Sequence, residues 1–204
     1  MQPRDLGRTV LLCLVGGSAD AIAFLRYDTF VGAMTGNTVL LGIDLAEGNL
    51  DRASFHLGIV AIFLVAVVVT EIALRFKIPP ALPLVLTALI LGSSEFITDQ
   101  WSAAICAAAL GMQNAAVRSI AGVPINTAFI TGNLVRLGTA VPEASAPEHQ
   151  ATLAVLTISW IAYAAGAVAG ALALRLIDYP MVVPAALALA AAVVEMSADR
   201  RKQG

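Results

Sequence analysis

Charged residues are scarce in this chain. Aspartate, glutamate, lysine and arginine together make up 13% of its 204 residues, whereas 59% are hydrophobic and the mean hydropathy is +0.85. Soluble domains carry about twice that share of charge, roughly 25%. The formal net charge of -2 also excludes the broad basic surface that nucleic-acid binding requires. The composition therefore predicts an integral membrane protein whose main partner is the lipid bilayer.

Cysteine and histidine are also rare, which limits the chemistry that the chain can perform. Cys13 and Cys106 each lie inside an apolar run, without the spacing of metal ligands, and are interpreted as small buried hydrophobic residues. His56 and His149 fall in segments assigned to loops and are too isolated for a metal or catalytic site. The sequence also lacks a nucleophile–base pair and a phosphate-binding loop. We therefore predict no catalytic residue, no metal site, no cofactor and no enzyme activity.

The chain contains an internal repeat. "GSADA" at residues 17–21 matches "GMQNA" at residues 111–115, with an offset of 94. "TGNTVLLG", which begins at Thr35, matches "TGNLVRLG", which begins at Thr131, with an offset of 96. These two eight-residue windows agree at six positions. Such self-similarity at a nearly fixed period indicates two copies of one structural unit.

The correspondence extends to the ends of the two copies. Glu95 matches Glu195 with an offset of 100, and the slow drift of the offset is typical of small loop insertions. Residues 1–100 and 101–204 are therefore predicted to be two membrane repeats. Together they form one membrane domain, because no soluble linker separates them.

Each repeat contains four apolar segments, called A to D in chain order. Their ranges are 9–25, 30–43, 57–74 and 81–97 in the first repeat, and 102–117, 125–141, 151–174 and 181–194 in the second. A helix that spans a bilayer needs about 20 residues, and stretches of about 10 to 14 are more often re-entrant. Segment B of the first repeat has 14 residues and carries the TGN triplet in its middle. It is therefore predicted to be a short broken or re-entrant helix.

The distribution of lysine and arginine favours six membrane spans over eight. With segment B re-entrant and the N-terminus in the cytoplasm, nine of these 12 residues fall inside and three outside. With segment B crossing, the ratio is seven to five, which agrees less well with the positive-inside rule. Three spans per repeat is an odd number, so the second repeat is inverted relative to the first and both termini are cytoplasmic. Eight spans in two parallel four-helix repeats stay open as the alternative, in an all-α fold either way.

The two TGN triplets are the main candidates for a functional site. Their members are Thr35, Gly36, Asn37, Thr131, Gly132 and Asn133. The threonines are predicted to cap the half-helices that follow, the glycines to permit positive φ and close backbone approach, and the asparagines to face a solute. The N-terminal end of each half-helix favours a small anion or carboxylate. The triplets are therefore predicted to meet in a central solute- or ion-binding site.

Asp20 is the second candidate, because it lies deep in segment A. It follows Arg8 by 12 residues, which is about 18 Å along a helix, and ionisable groups at that depth commonly serve a substrate or ion pathway. Its counterpart in the second repeat is Asn114, with Gln113 beside it, so the predicted site is asymmetric. In the alternative interpretation Asp20 is protonated or hydrogen-bonded to Ser18 and has only a structural role.

One charged residue distinguishes the second triplet from the first. Arg136 stands where the first repeat has the apolar Leu40. A long cationic side chain can extend to the membrane interface, and it can equally hold an anion near the triplet. Both interpretations of Arg136 stay open.

Three stretches of the chain together resemble a known family. "GGSADAIAFL", "FVGAMTGNTVLLG" and "GMQNAAVRSIAGVPINTAFITGNLVRLG" are similar to the YoaK-like family of bacterial inner-membrane proteins, a domain of unknown function called DUF1275 or UPF0700. The resemblance covers nearly the whole chain, and both TGN triplets are intact. It implies a multi-pass protein of the bacterial inner (cytoplasmic) membrane, and it implies no established activity.

Two classes of function follow from these features. The first is a transporter or channel for a small solute or ion, with a central polar site between the two triplets and Asp20. The second is a non-transporting membrane scaffold or assembly partner, in which the triplets and other small residues only pack helices. A polar cavity between the triplets would favour the first class, and dry packing there the second. The sequence leaves open whether chains form a homo-oligomer.

Overall fold

The computed structural model describes residues 3–97, 100–117, 119–120, 123–124, 130–143 and 147–203. The described chain is all-helical, as predicted, apart from one very short ribbon in which β1 (Ser119–Ile120) pairs antiparallel with β2 (Val123–Pro124). Two 3₁₀ turns, Ser94–Phe96 and Val141–Glu143, follow the fourth and sixth helices. The helices are α1 (Pro3–Tyr27), α2 (Met34–Ala46), α3 (Leu50–Arg75), α4 (Ala81–Ser93), α5 (Gln100–Ala116), α6 (Ile130–Ala140), α7 (Pro147–Leu176) and α8 (Val182–Gln203).

Three of the described helices contain stretches long and apolar enough to cross a bilayer. These stretches are Leu6–Tyr27, Leu50–Arg75 and Gln150–Leu176. In contrast, α2 has 13 residues and the described α6 has 11, so they extend only about 20 Å and about 16 Å. The hydrocarbon core of a bilayer is about 30 Å thick. Helix α2, which carries the first TGN triplet, is therefore too short to span it. The described part of α6 is also short, and residues 125–129 of the predicted second segment B lie outside the described residues.

Helix α3 begins seven residues earlier than predicted, because its N-terminus is well capped. The Asn49 side chain accepts the backbone N–H of Arg52 at 3.2 Å, and Asp51 lies in the first turn, where a negative charge suits the helix dipole. His56 therefore lies inside a helix, and the prediction that it lies in a loop is wrong. His149 likewise lies on α7.

Helix α1 is the most deeply buried of the three long helices and packs closely on α7. A Cβ atom added to Gly166 would lie 2.4 Å from the carbonyl oxygen of Leu14, and one added to Gly170 would lie 2.4 Å from that of Ser18. The two backbones are thus in direct contact. Because the contacts advance along both helices together, α1 and α7 run parallel.

Two further glycines make matching contacts at different helix crossings. A Cβ atom on Gly17 of α1 would lie 2.0 Å from the carbonyl oxygen of Tyr163 on α7. A Cβ atom on Gly111 of α5 would lie 2.6 Å from the carbonyl oxygen of Phe63 on α3. The nearest atom belongs to the backbone in both cases, so neither site tolerates a larger residue without helix movement. The α1–α7 and α3–α5 crossings therefore rest on the same kind of contact.

Ion pairs tie both ends of α1 to later helices. Arg8 near its start pairs with Glu195 of α8, and Arg26 near its end pairs with Glu95 at 2.8 Å. The other oxygen of Glu95 accepts the backbone N–H of Met181, just before α8, at 2.5 Å. Helix α8 therefore runs antiparallel to both α1 and α4. The two arginines lie 18 residues apart, or about 27 Å along the helix, which is close to the thickness of a hydrocarbon core.

The outer face of α3 is strongly apolar and largely exposed in the described chain. Its exposed large residues are Leu57, Leu64, Val65, Val68, Val69 and Ile72. A contiguous apolar surface of this kind is unstable in water. Its presence along a helix of 26 residues is consistent with contact to lipid.

Candidate functional site

The segment between α1 and α2 folds back along α1. Asp28 ends α1 with φ at +52°, a left-handed conformation that aspartate tolerates. One oxygen of Asp20, Oδ1, then accepts three consecutive backbone N–H groups. The donors are Val31 at 2.8 Å, Gly32 at 2.6 Å and Ala33 at 3.3 Å. Since Asp20 precedes Asp28 by eight residues, the chain has returned about 12 Å along α1 at this point.

Asp20 also connects this returning segment to α7. Its second oxygen, Oδ2, accepts the hydroxyl proton of Tyr163 at 2.5 Å, and Asp20 is only 3% exposed. All four partners are donors, which a carboxylate can accept. Ser18 donates instead to the carbonyl of Leu14 at 2.7 Å. Ser18 is therefore not the partner of Asp20, and the carboxylate joins α1, the returning segment and α7.

Asn37 of the first triplet holds the same segment from the other side. It is fully buried, and its Oδ1 accepts the Thr29 hydroxyl at 3.0 Å and the backbone N–H of Phe30 at 2.9 Å. Its Nδ2 donates to the carbonyl of Phe30 at 2.6 Å. The amide therefore faces the protein's own backbone in this structure, whereas the sequence predicted that it faces a solute.

The other two members of this triplet differ from their predicted roles. Helix α2 begins at Met34 with Ala33 in the cap position and no side-chain cap, so the prediction of a Thr35 cap is wrong. Thr35 is exposed in the first turn. Gly36 is also helical, and positive φ is not needed there. The predicted close approach is present, because a Cβ atom on Gly36 would lie 2.6 Å from the Phe30 ring.

The far end of α2 returns to the point where α1 ends. Asp44 lies in its last turns, 7% exposed, with Oδ2 2.7 Å from Nδ1 of His56. The other ring nitrogen of His56, Nε2, lies 3.2 Å from the carbonyl oxygen of Asp28. The segment from Asp28 to Asp44 thus leaves and rejoins the same end of α1, with its tip at Asp20. We call residues 28–46 the re-entrant segment, because their path leaves and returns to the same end of α1.

The sequence did not predict this cluster of Asp28, Asp44, Arg52 and His56. Arg52 completes it, with Nε 3.6 Å from Asp44 Oδ1 and Nη2 3.8 Å from Asp28 Oδ2. His56 was missed because it was assigned to a loop. Asp44 carried one usable signal, since a carboxylate near a helix C-terminus opposes the dipole and calls for a cationic partner.

The second triplet lies at the start of α6, which packs on α7. Thr131 and Gly132 are exposed, and Asn133 is 3% exposed. No described atom lies within 4 Å of a Cβ atom added to Gly132, in contrast to Gly36. Arg136 follows one turn later and is partly buried. The two triplets therefore share a buried asparagine and an exposed threonine and differ at the glycine.

The predicted partners on α5 do not gather around Asp20. Gln113 is fully buried, and its Nε2 donates to the carbonyl of Leu12 at 3.1 Å. Leu12 precedes Asp20 by eight residues, about 12 Å along α1. Asn114 donates to the carbonyl of Leu110 on its own helix at 2.8 Å. The structure therefore places the α5 amides and Asp20 at different levels of α1.

Three open clefts lie elsewhere on the described structure, with volumes of about 360, 370 and 370 Å³. The first is polar and lies beside Arg8 and Glu195, and the other two lie between α3 and α5. Neither Asp20 nor a TGN residue lines any of these three clefts. Asp20 and Asn37 are buried in this conformation, whereas Thr35 of the same triplet is exposed.

Comparison with known proteins identifies the family. A family model described as a protein of unknown function, DUF1275, matches residues 9–194. A UPF0700 transmembrane protein of Rhizobium meliloti (strain 1021) is 26% identical over 200 residues, which cover 97% of this chain and 89% of the relative. No solved structure matches the chain. The chain therefore belongs to the DUF1275 family of membrane proteins, whose function is unknown.

Proposed function

We propose that this protein moves a small solute or ion across the bacterial inner membrane, as a transporter or channel, and performs no catalysis. The observation that carries the proposal is the re-entrant segment 28–46, whose non-helical tip is bound to Asp20. Non-helical backbone at membrane depth is tolerated only where it is buried in protein or lines a wet cavity. A carboxyl group at the bilayer centre costs at least about 2.5–3.5 kcal/mol on insertion scales. Non-helical backbone and a buried carboxyl group at membrane depth are typical of substrate or ion pathways.

We further propose six spans in two inverted repeats, with both termini cytoplasmic. Gly17 and Gly111 are repeat counterparts, since 111 − 17 = 94, and so are Phe63 and Tyr163, since 163 − 63 = 100. Each glycine contacts the counterpart carbonyl of the other repeat, as a two-fold relation requires. The antiparallel course of α4 and α8 supports inversion. Inverted repeats with broken helices are a common plan of secondary transporters, and this support is an analogy of fold.

The proposed working site lies at the tip of the re-entrant segment. In the closed conformation Asp20 accepts the backbone N–H groups just before α2 and lies at the positive end of the α2 dipole. An anionic solute competes with Asp20 for these donors, whereas a cation or proton that neutralises Asp20 weakens their hold on it. Opening also requires Asn37 to release Phe30. The second triplet, with Asn133, supplies the corresponding element of the other repeat.

A non-transporting scaffold or assembly partner is the second candidate. The saturated hydrogen bonding of Asp20 and Asn37 favours it, because a structural clasp requires no solute. The backbone contacts of Gly166 and Gly170 favour it as well, since close glycine packing stabilises membrane helices by itself.

Thiol accessibility and ion flux separate these two functions. A cysteine at Ala33, in a protein with Cys13 and Cys106 replaced by alanine, reports whether the tip opens to water. We expect it to react with a membrane-impermeant thiol reagent much faster than a cysteine at the buried Ala103. Proteoliposomes that contain a pH-sensitive or a halide-sensitive dye measure flux in parallel. Equal protection of both cysteines, together with flux no greater than in protein-free liposomes, would support the scaffold.

A further inference from the structure

The cluster at the end of α1 has a hydrogen-bonding pattern that depends on its proton content. His56 is fully buried, with Asp44 on Nδ1 at 2.7 Å and the backbone carbonyl of Asp28 on Nε2 at 3.2 Å. A carbonyl and a carboxylate oxygen only accept hydrogen bonds, and a neutral imidazole has a single N–H donor. Both contacts can therefore be hydrogen bonds only if the His56–Asp44 pair holds one proton more than a neutral imidazole and a carboxylate.

We propose that the His56–Asp44 pair is a proton-binding site that latches the re-entrant segment 28–46 to α3. The latch connects the last turns of α2, through Asp44, and the end of α1, through Asp28, to a single side chain. The proton site stands on this geometry alone, and its role in gating rests on the proposed transport function.

The charged groups that contact the pair favour binding of this proton. Among the groups in direct contact, Asp28 and Asp44 contribute two negative charges and Arg52 one positive charge, so an imidazolium at His56 brings their sum to zero. Asp51 of α3 lines the neighbouring cleft and adds a negative charge, which also favours the imidazolium. Arg52 contacts both carboxylates at 3.6–3.8 Å. Of the described residues on α5, the cleft at this level presents the uncharged Gln100, Trp101 and Ala104. The ring of Phe55 packs on the imidazole at 5.4 Å and adds no charge.

The sign of the pH effect follows from the donor count. With the proton bound, the pair makes two hydrogen bonds across the two ends of the re-entrant segment. After the proton leaves, one N–H faces two acceptors, and one bond is lost. The positive charge that offsets the carboxylate and the negative dipole end of α2 is lost as well. The latch is therefore closed at low pH and weakens as pH rises.

Nitrogen NMR of a single-histidine protein tests the proton site directly. The chain has two histidines, so His149→Gln leaves His56 as the only source of imidazole signals in ¹⁵N-histidine-labelled protein in lipid nanodiscs. Over about pH 5 to about pH 9, we expect two protonated ring nitrogens at the acidic end and one at the basic end. A neutral tautomer throughout this range would overturn the proposal.

Two variants with opposite effects exclude a merely structural role. Asp44→Asn removes the negative partner, and it should show the neutral imidazole at pH values at which the parent shows the imidazolium. Arg52→Gln removes the competing positive charge and should keep the imidazolium to higher pH than the parent. Thermal unfolding identifies any variant that fails to fold. If both folded variants lose the proton at the same pH as the parent, the paired assignment is wrong.

Hydrogen exchange tests the latch. After correction for intrinsic exchange chemistry, the backbone amides of residues 34–46 should exchange several-fold faster at the basic than at the acidic end in the parent protein. In His56→Gln, whose amide donates to Asp44 but does not titrate, the corrected rate should not depend on pH. A flat profile in the parent overturns the latch. These measurements use no solute gradient, so a positive result with no flux refutes transport and leaves the proton site intact.

Discussion

At the scale of single residues, Asp20 stabilises the tip of the re-entrant segment through four donors, and each replacement removes a defined subset of them. Asp20→Asn can still accept the backbone N–H groups through Oδ1 and donate to Tyr163 through Nδ2. We expect it to fold with a loss of about 1–2 kcal/mol, because hydrogen bonds to a neutral group are weaker than those to a charged one. Asp20→Ala leaves three buried N–H groups without an acceptor and should cost about 3 kcal/mol or more.

Thermal and denaturant unfolding in detergent give the order of these losses. Tyr163→Phe is the matched control, since it removes one donor and leaves the backbone contacts intact, and it should lie nearest to the parent. If Asp20→Ala is as stable as Asp20→Asn, the carboxylate does not hold the tip.

In the transport assay, Asp20→Asn should lose any dependence of flux on pH. If the variant keeps wild-type flux with an unchanged pH profile, Asp20 is not part of the pathway.

The structure changes the expected effect of replacing Asn37 by alanine. The sequence favoured a solute-facing amide whose loss leaves folding intact. In the structure Asn37→Ala leaves the Thr29 hydroxyl and both backbone groups of Phe30 without their partner. We therefore expect a loss of about 2–4 kcal/mol in unfolding free energy. The exposed Thr35→Ala is the control and should change it by less than about 0.5 kcal/mol.

At the scale of helices, the two glycine crossings should respond alike. Gly17→Ala and Gly111→Ala each place a methyl group within the van der Waals distance of a backbone carbonyl, so each pushes two helices apart. We expect both variants to unfold at clearly lower temperature than the parent. Gly58→Ala on α3 is the control, because nothing lies within 4 Å of its Cβ position. It should be neutral or stabilising by up to about 1 kcal/mol.

The helices also show what the sequence could and could not predict. Composition and segment lengths were enough to predict an all-helical membrane protein with the first TGN triplet on a short helix. The partners of Asp20 were not predictable, because three are backbone N–H groups, which every residue except proline has, and the fourth is Tyr163, 143 residues away. The role of Asn37 was missed for the same reason. His56 was missed because a cap at Asn49 extends α3 beyond its apolar run.

At the scale of the whole molecule, labelling of single cysteines decides the topology. In a background without Cys13 and Cys106, cysteines at the exposed Glu47, Phe76 and Asp178 report three inter-helix connections. With six spans in inverted repeats, the cysteines at positions 47 and 178 should react with an impermeant reagent from outside the cell, and the cysteine at position 76 should be protected. With eight spans, the cysteine at position 76 should react from outside, and the cysteine at position 47 should be protected. That pattern would show that the proposed topology is wrong.

The ion pairs at the two ends of α1 also affect the order in which contacts form during synthesis and insertion. Arg8 and Arg26 enter the membrane with α1, whereas Glu195 belongs to α8 and is synthesised 187 residues after its partner Arg8. The backbone surface of α1 that receives α7 is likewise uncovered until late in translation. During translation the first half of the chain is therefore inserted in the bilayer before the partners of α1 on α7 and α8 are present. Membrane quality control that recognises unpaired intramembrane groups would remove any chain cut short before α8 is complete.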